Sequence, residues 1–222
     1  MTFGIVPVKD LSKAKERLSS VLPQKHRTTL AYAMLEDVLI ALKNSKLLDR
    51  KFIITLDKGA IEIASNLGIE IIVETEQNGE SASVDFAAAK CIEMGADSML
   101  VIPGDAPLIT SSDIDKLVSE QKQLTSPYII MVPAGDELGT NAILKNPPDI
   151  IPSRFGHDSY NKHKEEANNK NIPYKTFKNV RIALDIDQPA DLQMLINQII
   201  DSNTKRELIN LGIISQDLND RS

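Results

Sequence analysis

The sequence predicts an α/β protein, with a mostly parallel sheet between helices on both faces. Two observations carry this. Short apolar runs alternate with helical patterns as far as Pro127. The runs are continuously apolar instead of alternating with polar residues, as strands buried on both faces are. A third observation sets the scale: 222 residues suit one domain with a modest appendage, drawn here as 1–202 followed by a tail, 203–222.

The elements follow in order. Phe3–Val8 is an apolar run closed by Pro7 and a charged segment, a buried strand. Between Gln24 and Lys43, Leu30, Met34 and Val38 recur every four residues, a helical stripe with Pro23 at its opening. Residues 52–56 read as a strand, and 58–67 as a helix stopped by Gly68. Residues 69–73 are the next strand, 81–94 a helix closing at Gly95, and 98–102 a strand ending at Pro103-Gly104. Ser111 or Ser112 is the expected cap of a helix reaching Gln123, with Asp113 and Asp115 in its first turn. Beyond Pro127 the pattern loosens. Strands are expected at 128–133, 142–145, 174–177 and 181–186, with helices at 159–170 and 189–201. The tail carries Leu208, Leu211, Ile213, Ile214 and Leu218, and reads either as a packed terminal helix or as an oligomer contact.

Composition narrows the function. With 42% hydrophobic and 25% charged residues, the chain can bury a sizeable core, which excludes global disorder. No stretch approaches the roughly 18 apolar residues of a membrane span, and the start lacks a basic segment followed by a long apolar one, so no secretory signal is expected. Cys91 is the single cysteine, which rules out an internal disulfide and a cysteine-rich zinc site. A cytoplasmic protein is therefore expected. A net charge of −6 argues against nucleic-acid or anionic-membrane partners. Residues 1–30 nevertheless carry +4, which points to a local anionic ligand or to a lysine-rich solvated helix start.

In such a sheet, ligands bind beyond the carboxyl ends of the strands, near the switch in strand order. Four stretches qualify. The loop after the first strand brings Lys9, Lys15 and Arg17 within nine residues. It matches neither the glycine-rich dinucleotide fingerprint nor the P-loop, so a dehydrogenase is disfavoured. Its cations can hold a triphosphate and neutralise charge on a departing pyrophosphate. Asp105 lies at the end of the strand 98–102, between Pro103 and Pro107. Asp185 and Asp187 stand two apart and, in extended chain, face one side; like charges so placed repel unless a cation lies between them. Asp187 has the alternative role of capping the helix after it. With Asp105 these carboxylates form a candidate Mg²⁺ site. Gly139-Thr140-Asn141 and Phe155-Gly156-His157-Asp158-Ser159 set glycine beside hydroxyl and amide groups, which lets backbone N–H groups approach an anion. Asn78-Gly79-Glu80-Ser81 opens a helix, and its serines either contact a nucleotide or act as caps. His26, His157 and His163 show no metal-ligand spacing and are read as surface or supporting residues. Cys91 is read as a small buried thiol.

Six ordered motifs add a resemblance. These are Pro7-Val-Lys9 with Ala14-Lys15-x-Arg17-Leu18; Met34-Leu-Glu-Asp37-Val-Leu39; Pro103-x-Asp105-x-Pro107-Leu108; Gly139-Thr140-Asn141-Ala142; Phe155-Gly156-x-x-Ser159; and Leu184-Asp185-Ile186-Asp187-x-Pro189-x-Asp191-Leu192. Together they resemble the 2-phospho-L-lactate guanylyltransferase family of coenzyme F-420 biosynthesis, within the molybdopterin-guanylyltransferase-like nucleotidyltransferases. The likeness spans residue 3 to about 196 and leaves the tail outside. It implies a Rossmann-like three-layer α/β/α nucleotidyltransferase fold with a mixed, mostly parallel sheet. It implies GMP transfer from GTP to 2-phospholactate, phosphoenolpyruvate or 3-phosphoglycerate. By the same resemblance Asp105, Asp185 and Asp187 hold Mg²⁺, Lys9, Lys15 and Arg17 face the GTP phosphates, Gly79 and Ser81 lie on the nucleotide side, and Thr140, Asn141, Gly156 and Ser159 lie on the acceptor side. The partners implied are small molecules, with a homodimer as an open alternative. A nucleotidyltransferase for a sugar phosphate or molybdopterin, and a non-catalytic nucleotide-binding regulator, are the competing readings.

Overall fold

The computed structural model describes residues 1–74, 76 and 78–215. Seven strands form one sheet in the order β3-β2-β1-β4-β6-β5-β7. They are β1 (Thr2–Pro7), β2 (Arg50–Thr55), β3 (Glu70–Val73), β4 (Ser98–Val101), β5 (Tyr128–Pro133), β6 (Thr140–Asn146) and β7 (Tyr174–Thr176). The helices are α1 (Gln24–Asn44), α2 (Lys58–Leu67), α3 (Glu80–Glu93), α4 (Ser111–Ser119), α5 (Ser159–Asn169), α6 (Pro189–Ile196) and α7 (Asn203–Asn210). β1, β2, β3 and β4 run parallel, β6 is antiparallel to both its neighbours, and β7 is parallel to β5. The strand order reverses direction between β1 and β4, which makes their carboxyl ends the switch point.

β1 shows why the run reads as apolar throughout. Phe3 and Ile5 pack on one face with Val84, Ala87 and Cys91 of α3; Val6 packs on the other with Leu35, Val38 and Leu39 of α1. Gly4 sits where α1 comes closest, since a Cβ there would lie 2.6 Å from the Leu48 side chain and 2.9 Å from that of Leu42. The buried thiol of Cys91 is pushed up to about 12 by burial. A third apolar cluster joins Leu30 and Met34 of α1 to Leu192, Leu195 and Leu208. Ser202 caps α7 by accepting the Lys205 N–H (3.1 Å), and Asp37 of α1 accepts the N–H groups of Asn203 (2.9 Å) and Thr204 (2.8 Å), which seats α7 on α1. The tail as far as Ile214 thus packs on its own chain, while 216–222, with Leu218, lie outside the described residues. Among the described residues no helix is long and apolar enough to cross a membrane.

Three expectations are corrected. Residues 181–186 form no strand. Asn179 takes the Arg181 and Ile182 N–H groups on its side-chain oxygen, and the stretch is tied by two isolated backbone bonds, Gly135 N–H to Ala183 and Ile186 N–H to Asp105. The cap of α4 is Thr110, in a reciprocal box with Asp113 (Asp113 N–H to Thr110 Oγ1 3.2 Å, Thr110 N–H to Asp113 Oδ2 3.0 Å); Asp115 instead accepts from Ser45 (2.6 Å) and from Lys46 N–H (3.0 Å). The last expected helix, 189–201, stops at Ile196 and a separate α7 follows.

Candidate active site

The carboxyl ends of β1 and β4 open onto a cleft of about 350 Å³. Pro7, Lys9, Lys15, Pro103, Asp105 and Asp187 are among the residues lining it. Asp105 and Asp187, which line it, and Asp185 each offer a carboxylate oxygen within 4.8 Å of the others. They reach this point from two loops. Asp105 follows β4, and its carbonyl accepts the Ile186 N–H at 3.1 Å, which pins the second loop between its two aspartates. Asp187 is not the cap of α6: Asp191 accepts the N–H groups of Asp187 (3.1 Å) and Gln188 (2.7 Å), in a capping box centred on Gln188. The competing role for Asp187 is thereby filled by another residue.

The charge balance of this cluster is unequal. Lys15 is almost wholly buried and its Nζ donates to Asp105 at 2.5 Å and to Asp187 at 2.9 Å. Burial opposes its charge, yet the two carboxylates outweigh it and hold the ammonium well above its ordinary range. Lys15 also adopts a left-handed backbone, φ 57°, between two short 3₁₀ turns; a non-glycine residue there costs of order 1 kcal/mol. Among the described residues no ammonium bonds Asp185. Burial first, then Asp105 and Asp187, raise its pKa, against the Asn141 amide that donates to it at 3.0 Å. Glu80, at the start of α3, is raised by burial and by the same two carboxylates, with Lys9 3.7 Å away acting in the opposite sense. The donor set is all hard oxygen, and a cation already bonds two of its members. That chemistry fits a hard divalent ion.

The remaining basic residues are placed differently. Lys9 is exposed at the cleft edge, and Arg17 is exposed 3.6 Å from Asp187. The loop that carries them is anchored from below by Asp57 at the start of α2. Asp57 accepts from Leu11 N–H (2.9 Å), Tyr32 Oη (3.0 Å) and Ala60 N–H (2.8 Å). Burial, followed by this contact, pushes the Tyr32 phenol up to about 12.

The Thr140 side of the site forms a second cluster. Because β6 runs against β4, its first residues arrive at the edge where β4 ends. Thr140 N–H donates to Ser159 Oγ at 2.7 Å, and Thr140 Oγ1 lies 3.0 Å from His163 Nδ1. Ser159 begins α5 but does not cap it; Asp158, at φ 54°, holds that position. Gly156 has φ 107° and open space where a Cβ would stand. Asn141 spends its amide on the Ile182 carbonyl (2.9 Å) and Asp185, linking this cluster to the carboxylates. Gly79 caps α3 at φ 96°. Ser81 accepts the Phe155 N–H at 2.9 Å, so α3 braces the loop that carries Gly156.

The sequence does not single out Asp57, although its place two residues beyond β2 is a usable signal, and it marks Glu80 only as part of the segment that opens α3. Of the two readings for His163, surface or supporting, the surface one is corrected: the ring is fully buried, with partners on β6 and in the loop before α5.

The fold, with its carboxylates gathered at the switch point, suits a nucleotidyltransferase, and the family match establishes that class. A solved structure of similar fold, a protein described as a nucleotide-diphospho-sugar transferase from Desulfovibrio desulfuricans G20, superposes with a TM-score of 0.77 at 17% identity, covering 96% of this chain and 95% of that one. The sequence profile described as "Guanylyl transferase CofC like" matches residues 2–219, and the chain belongs to that family. The match takes in the tail, which the motif resemblance had left outside. Among curated relatives, the phosphoenolpyruvate guanylyltransferase of Conexibacter woesei is 34% identical over 87% of this chain and 86% of its own length. The 2-phospho-L-lactate guanylyltransferase of Methanobrevibacter smithii is 29% identical over 95% of this chain and 91% of its own.

Proposed function

We propose that this guanylyltransferase moves GMP from GTP onto the phosphate of a small phosphorylated three-carbon acid, 2-phospho-L-lactate or phosphoenolpyruvate, in the cytoplasmic route to coenzyme F-420. The observation that carries the proposal is the cleft at the β1/β4 switch, where Lys15 bridges Asp105 and Asp187 beside the charge-uncompensated Asp185. A phosphate oxygen of the acceptor attacks the α-phosphorus of GTP; the new P–O bond forms as the α–β bond breaks, and pyrophosphate leaves with the bonding pair. The attacking oxygen is already anionic, so no strong general base is required, which agrees with a site built without a histidine or cysteine in the cleft lining.

Catalysis then rests on positioning and charge. Asp105, Asp185 and Asp187 would hold Mg²⁺, which when bound neutralises phosphate charge. Lys15 holds two of those carboxylates in place, and Lys9 and Arg17 meet the triphosphate from the cleft edge. Thr140, Gly156 and Ser159 receive the acceptor acid. Asn141, with its amide committed to Asp185 and Ile182, orients the metal-binding loop, while Gly79 and Ser81 border the nucleotide side. Pyrophosphate release with GTP, Mg²⁺ and each of 2-phospholactate, phosphoenolpyruvate and 3-phosphoglycerate tests the proposal. Release with one acid names the acceptor; silence with all three, from folded protein that binds GTP, overturns it.

A further inference from the structure

The His163 ring is completely buried beneath the Thr140–Ser159 cluster. Its two nitrogens have different partners. Nε2 lies 2.9 Å from the Arg154 backbone N–H, which can only donate, so Nε2 accepts and carries no proton. The proton of the neutral ring is therefore on Nδ1, which faces Thr140 Oγ1 at 3.0 Å and shares its proton with the Ser159 backbone carbonyl. The Phe155 ring meets the imidazole edge-on at 5.2 Å, and Ser159 lies one helical turn before His163 on α5. One side chain thus touches Thr140 directly, the strand of backbone leading to Gly156 through Arg154 and Phe155, and Ser159 through the helix.

The bond directions have a consequence for the pocket. A hydroxyl has one proton to give and two lone pairs to receive. If Nδ1–H donates to Thr140 Oγ1, the Thr140 proton is left to point elsewhere. Ser159 Oγ is in the same condition, since the Thr140 N–H donates to it. Each hydroxyl accepts one bond from within the protein and keeps its own proton to donate. Two hydroxyl protons left free side by side favour a group rich in acceptors, such as a phosphate or carboxylate.

We infer that His163 is a positioning residue: as the Nδ1–H tautomer it fixes the Thr140 hydroxyl as an outward donor to the anionic group of the acceptor acid. The inference rests on the guanylyltransferase reading given above for what occupies the pocket, but its bond directions do not.

Two measurements test it. Imidazole ¹⁵N shifts of the free protein report the tautomer without any substrate; a protonated Nδ1 and bare Nε2 are expected, and the reverse overturns the inference. Steady-state kinetics then use His163→Phe, which keeps the ring and removes both bonds, and His163→Asn, whose amide NH₂ restores a donor on the Nδ1 side. His163→Phe should raise KM for the acceptor roughly tenfold or more, the size of one hydrogen bond to a charged group, with KM for GTP unchanged. His163→Asn should recover most of that loss. On a Thr140→Val background, His163→Phe should add little, because the two act through one bond. Multiplicative effects, or parallel rises in both KM values, overturn the positioning role. Failure of the wild-type enzyme to turn over any of the three acids removes the acceptor reading itself, an outcome separate from a variant that behaves like wild type.

Discussion

Replacing Asp113 by Asn should cost the fold about 3–4 kcal/mol. Asp113 is fully buried in the first turn of α4 and has no water to fall back on. It accepts from Thr110 N–H (3.0 Å), Thr110 Oγ1 (2.6 Å), Asn179 Nδ2 (2.9 Å) and Arg181 Nε (2.7 Å), with a second, closer bond from Arg181 Nη2. Asn keeps the shape but removes the charge, and its NH₂ faces donors. The fork to Arg181 accounts for about 2–3 kcal/mol as charge-assisted bonds, and the weakened cap for about 1. Arg181 is partly exposed and can be resolvated, which keeps the loss at the low end of the range for a broken buried pair. Urea or thermal unfolding measures the difference. At this chain length it corresponds to roughly 6–16 °C in Tm. The pH dependence gives a second check. The Arg181, Thr110 and Asn179 bonds outweigh burial and hold the Asp113 pKa below its unfolded value, so its contribution is complete above about pH 4 and fades as pH falls through the depressed folded value. The gap between wild type and Asp113→Asn should accordingly be about 1 kcal/mol narrower at pH 3 than at pH 6. A loss below about 1 kcal/mol, or a gap indifferent to pH, would refute this account of the Asp113 cluster.

Asp185→Asn should cut turnover by orders of magnitude while leaving the unfolding midpoint near wild type; equal activity would sink the metal assignment. His163, held down to about 4 by burial and the nearby Lys145, is neutral in the fold, so the unfolded chain binds more protons between about pH 4 and 6.5. Wild type should lose up to about 3 kcal/mol across that window as pH falls, and His163→Phe should lack this acid limb in chemical unfolding. Lys145, completely buried and pushed down to about 8 by burial, should act in the alkaline direction. Its unfolded form keeps the proton to about pH 10.4, so stability rises with pH from about 8 relative to Lys145→Met, and a flat difference curve across that range would contradict it.

How far these features could be read from the residues depended on the range of the interactions. Phe3–Val8 and the Leu30–Met34–Val38 stripe announce themselves because burial on both faces, or on one stripe, leaves a local pattern. Gly68 and Pro189 mark helix ends for equally local reasons. The run 181–186 misled because it has strand composition, while the amides of Arg181, Ile182 and Ala183 are taken by Asn179 and that of Ile186 by the single distant carbonyl of Asp105. The antiparallel direction of β6 left no mark in its own residues. In the candidate site, Asp105 and the basic loop were visible as charges at strand ends, and Asp185 and Asp187 as a like-charged pair two residues apart. That Lys15 turns inward to the carboxylates while Lys9 and Arg17 stay at the rim depends on a left-handed backbone, which no residue in the loop advertises. Asp113 and His163 owe their importance to partners far away in sequence, so composition could not single them out.

The reversed β6 separates the two halves of the site along the chain as well as in space. The residues proposed for the nucleotide, from Lys9 to Ser81, lie before α4, and Asp185 and Asp187 of the proposed metal site lie well after it, whereas the proposed acceptor residues Thr140, Gly156 and Ser159 fall within one uninterrupted stretch of about twenty residues that enters from the opposite strand direction. The two halves meet at few places, chiefly the Asn141–Asp185 and Ser81–Phe155 bonds. Such a layout lets selection rewrite one stretch without disturbing the other. Relatives that share a guanylyl donor yet are named for different acids, phosphoenolpyruvate in one and 2-phospho-L-lactate in another, are what that independence would produce.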